Sequence, residues 1–262
     1  MGKNFVEYIN MKKPIRAVIL AAGKGKRMPD YDLPKALYPI GGKPMIKYLL
    51  KTFEEFGIKR PIIVVGFKKE MVMKELGKNY EYAIQEEQLG TAHAVLAAYD
   101  ALATHSGLTF VAYGDMPFWS VDTFQEMLKT KKETGVALVI ATVKLSKKYP
   151  YGRIIRDKNQ RVLRVTEEKD CTEKELEIKE TNAGLYLADN TWLFKALAKV
   201  GKENKKGEYY LTDLVEIAAK GQVGVETYKV KDRKEAIGVN DEKNIKDAEV
   251  ALAEFGLEPD IK

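Results

Sequence analysis

The sequence has little of the side chains that most often carry zinc, redox or nucleophilic chemistry, with one cysteine and two histidines among 262 residues. Cys171 has no partner for an intrachain disulfide, and no CxxC motif is present. His93 and His105 stand outside any HExxH pattern, and no G-x-S-x-G segment marks a serine nucleophile. These absences exclude a disulfide framework and argue against a zinc centre.

The sequence also lacks long apolar runs and a strong excess of one charge. No run approaches the roughly 20 residues of a membrane-spanning helix. Residues 1–14, MGKNFVEYINMKKP, contain no apolar signal-peptide core. The net charge is only +6 and is spread along the chain, whereas a nucleic-acid-binding face needs clustered basic residues. We therefore expect a soluble cytoplasmic protein with no membrane partner and no nucleic-acid partner.

The first half of the chain alternates short apolar runs, rich in β-branched residues, with helical patterns. The alternation predicts an α/β fold in which helices cover both faces of a parallel sheet. In such sheets, ligands bind beyond the carboxyl ends of the strands. Strands are predicted at 15–20, 61–66, 80–85 and 108–115, and helices at 43–56, 68–77, 91–103 and 121–133.

The second half is richer in strand patterns and predicts a substrate-binding subregion of the same domain. The polar, lysine-rich segment 201–208 predicts a mobile loop. Strands are predicted at 135–145, 181–188 and 223–230, with two more around a polar turn in 152–168, and helices at 190–200, 209–220 and 241–255.

A glycine-rich and cationic segment, LAAGKGKRM, directly follows the first apolar run. Gly23 lets a ligand approach the backbone, and successive N–H groups in such a turn bind anions. Arg27 and Lys35 add two cations that can reach a triphosphate. The alternative from these residues alone is a tight turn whose charges are solvated.

Side chains that suit a base and a metal ion follow later strands. The amides of Gln85 and Gln88 can read the polar edge of a base, and the N–H groups of Gly90 and Thr91 open a helix. Thr91 as an ordinary helix cap is the alternative. Asp115 ends an apolar strand where Mg²⁺ can be held, although it also suits a plain turn. Asn240 supplies a second oxygen.

Polar residues of the second half match what a sugar needs, namely a carboxylate, an amide, hydroxyls and a glycine that admits a ring. Each residue alone also suits an ordinary strand end or loop. They are Gly152, Glu167, Asn182, Tyr210 and Thr212.

These segments, taken in order, resemble the N-acetylglucosamine-1-phosphate uridyltransferase (pyrophosphorylase) family of sugar nucleotidyltransferases. Single motifs are shared more widely, but the ordered set is specific to this family and spans about 14–255. The matching motifs are LAAGKGKRM and LPKAL in 20–37, QEEQLGTAHA in 85–94, YGDMP in 113–117, YGRI in 151–154, EEKD in 167–170, NAG in 182–184, GEYYLTD in 207–213 and GVN in 238–240.

The resemblance implies a Rossmann-like nucleotidyltransferase fold with a mixed, mostly parallel central sheet and a β-rich sugar-binding subregion. It implies UTP and a sugar 1-phosphate as substrates and Mg²⁺ as cofactor. A nucleotide-binding half (about 14–118) and a sugar-binding half (about 119–240) precede a final helix (about 241–255). The implied roles are catalysis by Arg27, Lys35 and Asp115; nucleotide binding by Leu20, Ala21, Ala22, Gly23, Gln85, Gln88, Gly90 and Thr91; sugar binding by Tyr113, Gly152, Glu167, Asn182, Tyr210 and Thr212; and metal binding by Asp115 and Asn240.

Three departures from the family pattern bear on these expectations. The chain ends at Lys262, so we expect no acetyltransferase β-helix domain and leave the oligomeric state open. Ala183 and Lys26 each stand where the family pattern has a threonine. We expect any effect of these two replacements to fall on the choice of sugar or on substrate affinity. Glucose-1-phosphate as the sugar substrate, dTTP as the nucleotide, and a non-catalytic regulatory subunit that binds nucleotide sugars remain the alternatives.

Overall fold

The computed structural model describes residues 14–29, 32–145, 150–221 and 223–255. Residues 1–13, on which the expectation about a signal peptide rests, lie outside this part of the chain. Within the described part, no helix is both long and apolar enough to cross a lipid bilayer.

A mixed, mostly parallel β-sheet forms the frame of the fold, as the sequence predicted. β2 and β3 pair only with each other, while the remaining strands form one sheet in the order β11-β7-β10-β6-β1-β4-β5 with β8 and β9 attached to β10. β10 runs antiparallel to both of its main neighbours. The strands are β1 (Ile15–Ala21), β2 (Pro39–Ile40), β3 (Lys43–Pro44), β4 (Ile62–Val65), β5 (Glu81–Ile84), β6 (Leu108–Tyr113), β7 (Leu138–Lys144), β8 (Arg153–Arg156), β9 (Val162–Thr166), β10 (Glu180–Asp189) and β11 (Val225–Lys229).

Helices follow most strands, and two of them differ from the prediction. The helix predicted over 91–103 is divided, because the backbone at Ala98 leaves helical geometry with ψ near 5°. The helix predicted from residue 209 begins only at Asp213. The helices are α1 (Met45–Glu55), α2 (Lys69–Leu76), α3 (Thr91–Leu96), α4 (Tyr99–Leu102), α5 (Val121–Thr134), α6 (Glu173–Leu176), α7 (Asn190–Leu197), α8 (Asp213–Lys220) and α9 (Glu242–Glu254).

Apolar side chains are buried on both faces of the sheet. Along β1, Ala17 and Ile19 pack in one core cluster while Val18, between them, packs in the other. Successive side chains of a strand point to opposite faces, so helices must cover both faces, and the continuous apolar runs of the sequence reflect this.

The sheet also fixes where a ligand can bind. From β1 the chain goes to β4 and β5 on one side and then to β6 on the other side. The carboxyl ends of β1 and β6 therefore meet at the topological switch point, where ligands of open α/β sheets bind. The Gly114 N–H donates to the Leu20 carbonyl (2.9 Å) just beyond this point and holds the two strand ends together.

Truncation of Phe124 should test the core. Its ring lies 4.8–5.3 Å from the rings of Phe53, Phe56 and Phe110, measured between centroids. Because the side chain is fully buried, we expect Phe124→Ala to lower the free energy of unfolding by about 3–5 kcal/mol in urea titrations. Val250→Ala, at an exposed position, is the control and should change it by less than about 0.5 kcal/mol.

Candidate active site

A cavity of about 420 Å³ opens at the carboxyl ends of β1 and β6. The structure brings all but one of the predicted site residues to its walls. Those lining it are Leu20, Ala21, Ala22, Gly23, Arg27, Lys35, Gln85, Gln88, Gly90, Thr91, Tyr113, Asp115, Gly152, Glu167, Asn182, Tyr210 and Asn240.

A lysine stands at the centre of the predicted phosphate end. Lys35 begins a short 3₁₀ turn, and the buried neighbours Ala36 and Leu37 hold its backbone. Its ammonium donates to Asp115 Oδ2 and to Asn240 Oδ1, the latter at 2.8 Å. The Arg27 guanidinium also donates to Asn240 Oδ1 at 3.2 Å. Two cations and two oxygen ligands from distant parts of the chain therefore meet at one point.

Backbone contacts hold this cluster in place. The Val239 N–H donates to the Asp115 carbonyl at 2.9 Å, which fixes Asn240 beside the end of β6. Gly25 adopts φ +60°, and a Cβ there would lie 2.9 Å from Lys35 Cβ. A side chain at Gly25 would thus push the glycine-rich loop away from Lys35, whereas Gly23 faces open space.

The predicted base end of the cavity is formed by the segment between β5 and α3. Thr91 is not the helix cap that the alternative interpretation required, because Gly90 takes that position and no side chain caps the helix. The Thr91 hydroxyl instead accepts a hydrogen bond from Leu211 N–H at 2.9 Å.

The turn before α3 is paired with the segment 209–211. Tyr209 N–H donates to the Leu89 carbonyl (2.8 Å), and Ala92 N–H donates to the Tyr209 carbonyl (2.9 Å). Gly90 has φ +124°, and a Cβ there would collide with the backbone of Tyr209. Only glycine fits between the two segments, so the glycine of QLGT is explained by close approach as well as by backbone angle.

The predicted sugar end is built around an irregularity in β10. The register with β7 shifts between Asn182 and Tyr186, where Gly184 adopts φ +76°. The Asn182 amide donates to Tyr186 OH (2.7 Å), and its oxygen accepts from Gly184 N–H (3.2 Å). The amide is thereby held at the cavity wall in one orientation.

Two residues are placed differently from expectation: Thr212 of the predicted sugar subsite, and Ala183, whose replacement of a threonine was expected to affect the sugar. Thr212 is buried and does not line the cavity, because its hydroxyl turns to Glu167 Oε1 (2.9 Å). Thr212 therefore lies behind Glu167 and contacts the predicted sugar subsite only through that carboxylate. Ala183 is also absent from the cavity wall, since its side chain packs in the apolar core on the other side of β10.

Acidic residues crowd the region behind Glu167. Burial raises the pKa of the Glu167 carboxyl, and the hydrogen bond from Thr212 offsets part of this rise. Burial, together with the nearby carboxylates of Glu167 and Glu216, raises the pKa of Asp213 to about 6.

Burial likewise keeps the Tyr113 phenol protonated by raising its pKa.

Sequence reasoning missed several residues that line the cavity. Tyr151 stands in the YGRI motif, and its hydroxyl donates to the Ala236 carbonyl (3.2 Å) and accepts from Gly238 N–H (2.8 Å). It thereby connects the predicted sugar end to the segment that carries Asn240. The YGRI motif could have identified it. Lys206 and Glu208 also line the wall; Glu208 stands inside the GEYYLTD motif and Lys206 directly precedes it.

A family model described as the MobA-like NTP transferase domain matches residues 17–176. The chain belongs to this family. It is therefore a nucleotidyltransferase, as the motifs predicted. The matched range includes Arg27, Lys35 and Asp115 of the predicted phosphate end and the predicted base end, but not Asn240.

The curated relatives of this chain include two Bacillus proteins named bifunctional protein GlmU. Those of Bacillus cereus (strain G9842) and Bacillus anthracis (strain CDC 684) are each 42% identical over 236 residues, which is 90% of this chain and 51% of the relative. The chain thus spans about half the length of these relatives. They agree with the family resemblance read from the motifs.

A solved structure of low sequence identity shares the fold. It is a Bacillus anthracis protein provisionally assigned as a glucose-1-phosphate thymidylyltransferase, in complex with sucrose, and it is 19% identical with a TM-score of 0.73. The alignment covers 95% of this chain and 97% of that one. This likeness confirms the Rossmann-like nucleotidyltransferase fold.

Nucleotidyltransferases of this family typically use a divalent metal, and the residues at the phosphate end fit one. Asp115 and Asn240 direct a carboxylate oxygen and an amide oxygen to one point, which Lys35 Nζ marks. Among the described residues, no group of three or more His, Cys, Asp or Glu side chains gathers at a possible metal site. A hard cation held here would complete its shell with phosphate and water oxygens, as Mg²⁺ commonly does.

The raised pKa of Asp213 predicts a pH-dependent stability. The free carboxyl ionises near 3.8 and the folded one near 6, so the folded state retains a proton that the unfolded state has lost. Stability should therefore fall as pH rises through this window. In thermal unfolding, Asp213→Asn should show a smaller decrease of melting temperature with rising pH than the wild type. The decrease that remains is the one due to Glu167. Asp247→Asn on the exposed face of α9 is the control. An unchanged slope in Asp213→Asn would refute this assignment.

Proposed function

We propose that this enzyme transfers UMP from UTP to a sugar 1-phosphate, with N-acetylglucosamine-1-phosphate as the first candidate, and releases pyrophosphate. One observation carries the proposal. The cluster of Lys35, Asp115 and Asn240 lines the same cavity as the amides of Gln85 and Gln88 and as a second polar set, Gly152, Glu167 and Asn182. A cavity that combines these groups suits a nucleoside triphosphate together with a sugar phosphate.

The chemistry needs position and charge neutralisation rather than a nucleophilic side chain. An oxygen of the sugar 1-phosphate attacks the α-phosphorus of UTP, a P–O bond forms, and the bond to pyrophosphate breaks. The scarcity of cysteine and histidine is consistent with this direct displacement. Fixed cations near the transferred group stabilise charge that grows in the transition state, and both substrates are held in line by the two walls.

The residues at the predicted phosphate end each have a role in this scheme. Gly23, with Leu20, Ala21 and Ala22, lets the triphosphate approach the end of β1, and Arg27 and Lys35 offset charge on the leaving pyrophosphate. A bound Mg²⁺ on Asp115 and Asn240 would supply further neutralisation of the phosphates. We propose one nucleotidyltransferase domain, with a nucleotide-binding half over about 14–118 and a sugar-binding half over about 119–240.

The choice of sugar follows from the motifs and from the relatives. The ordered motifs and the relatives named GlmU favour N-acetylglucosamine-1-phosphate. Since Ala183 faces the core, the lost hydroxyl at this position no longer argues for a different sugar. The regulatory alternative is disfavoured, because Arg27, Lys35 and Asp115 all stand together at the cavity.

Pyrophosphate release is the direct test. The enzyme is supplied with UTP and Mg²⁺, and with N-acetylglucosamine-1-phosphate, glucose-1-phosphate or no sugar. We expect the fastest release with N-acetylglucosamine-1-phosphate and none without sugar. Faster release with glucose-1-phosphate would keep the transfer and replace the sugar. No release with either, from protein that still binds UTP, would refute both assignments.

Removal of the Asp115 carboxylate should nearly abolish turnover. We expect Asp115→Ala to lower kcat by at least about 10²–10³-fold, with a melting temperature close to that of the wild type, because the carboxylate is partly exposed at the cavity. Steady-state rates are measured over a range of Mg²⁺ concentrations, and Asp247→Ala serves as a control for loss of a surface carboxylate. Near-normal turnover of Asp115→Ala in Mg²⁺ would contradict the metal assignment.

A further inference from the structure

The amide of Gln85 has a fixed orientation at the proposed base end. The side chain is almost fully buried, and its Nε2 lies 3.1 Å from the Gly90 carbonyl and 3.0 Å from His93 Nδ1. A carbonyl oxygen can only accept a hydrogen bond, so the atom that faces Gly90 must be the amide nitrogen. Both N–H groups of this amide are therefore used inside the protein.

His93 completes this arrangement without touching the cavity. The Gln85 nitrogen can only donate, so His93 Nδ1 accepts, and the imidazole carries its proton on Nε2. The ring is stacked against Tyr209, with centroids 6.3 Å apart and planes inclined by 24°. His93 does not line the cavity, and it therefore acts on a ligand only through Gln85.

The remaining atom of the amide is Oε1. No described residue donates a hydrogen bond to this oxygen, and it is not one of the described side-chain atoms that are buried without a hydrogen-bond partner. It therefore faces the cavity as an acceptor. The Gly90 N–H, in the same wall, donates to no described residue. This wall therefore contains one acceptor and one donor to which no described residue is hydrogen-bonded.

We propose that His93 is a positioning residue that makes Gln85 an obligate acceptor and thereby sets a preference for uracil over cytosine. The inference rests on the proposed use of UTP. Uracil presents N3–H as a donor beside carbonyl O4, which matches Gln85 Oε1 and the Gly90 N–H. Cytosine presents a lone pair at N3, which would face the lone pairs of Oε1. Without His93, only the Gly90 carbonyl would hold the amide nitrogen inward, so the amide would turn its nitrogen to the cavity more often.

The test compares two variants at position 93. His93→Leu removes the acceptor, whereas His93→Asn places an oxygen close to the position of Nδ1. Binding of UTP and of CTP is measured by calorimetry without sugar, and kcat and KM are measured with each nucleotide. For His93→Leu we expect the UTP-to-CTP preference to fall about tenfold, in line with the usual cost of one mismatched polar contact. The loss should appear in KM rather than in kcat, and His93→Asn should restore most of it.

A purely structural role of His93 gives a different result. It would lower the melting temperature of His93→Leu and leave the UTP-to-CTP preference unchanged, which would overturn the proposal. Equal binding of UTP and CTP by the wild type would also overturn it. Selective binding of UTP without any turnover would leave this inference standing and would refute the proposed transfer instead.

A second measurement does not depend on the folding of a variant. The chain has only two histidines, so their imidazole nitrogens can be followed by ¹⁵N NMR in the wild type, with His93→Asn to assign the signals. At mildly alkaline pH we expect His93 to carry its proton on Nε2. A proton on Nδ1 would mean that Gln85 cannot donate to it, and the proposal would fail.

Discussion

The candidate site depends on one ammonium group. Lys35 Nζ joins Asp115, at the end of β6, to Asn240, just before α9. These residues are separated by 80 and 205 positions from Lys35 in the sequence. The segment that carries Lys35, the sheet and the C-terminal segment therefore meet at this side chain. The contact of Arg27 with Asn240 and the Val239-to-Asp115 backbone contact support the same junction. Charged and polar contacts join the segments here, while the buried neighbours Ala36 and Leu37 hold the Lys35 backbone.

The sequence predicted the frame of the fold because continuous apolar runs mark strands that are buried on both faces. It failed where a tertiary contact overrides local preference. The helix expected from residue 209 begins at Asp213 instead, because the backbone of Tyr209 and Leu211 is engaged by Leu89 and Thr91. The division between α3 and α4 at Ala98 has no marker in an alanine-rich segment that favours helix throughout.

Most residues of the candidate site could also be predicted from the sequence, because they follow the apolar runs that mark the strands. Glycines, amides and charged groups that follow apolar strands are visible in the sequence, and the sheet brings them together. The direction of a side chain at an irregular strand is not visible. Thr212 turns to Glu167 and Ala183 turns to the core, and neither orientation follows from the order of the residues. The structure places all of the predicted residues except Thr212 at one cavity, and their individual roles stay predictions.

The pairing of 89–92 with 209–211 has a consequence for how two substrates are bound. One segment of the pair carries the proposed base contacts, and the other contains Tyr210 at the proposed sugar end. A ligand that stiffens either segment reduces the conformational entropy that the other ligand must still remove. Thermodynamic reciprocity then requires that any gain in affinity which one substrate produces for the other be returned by the same factor. Gly90, which permits this close pairing, thereby links the proposed base end to the proposed sugar end.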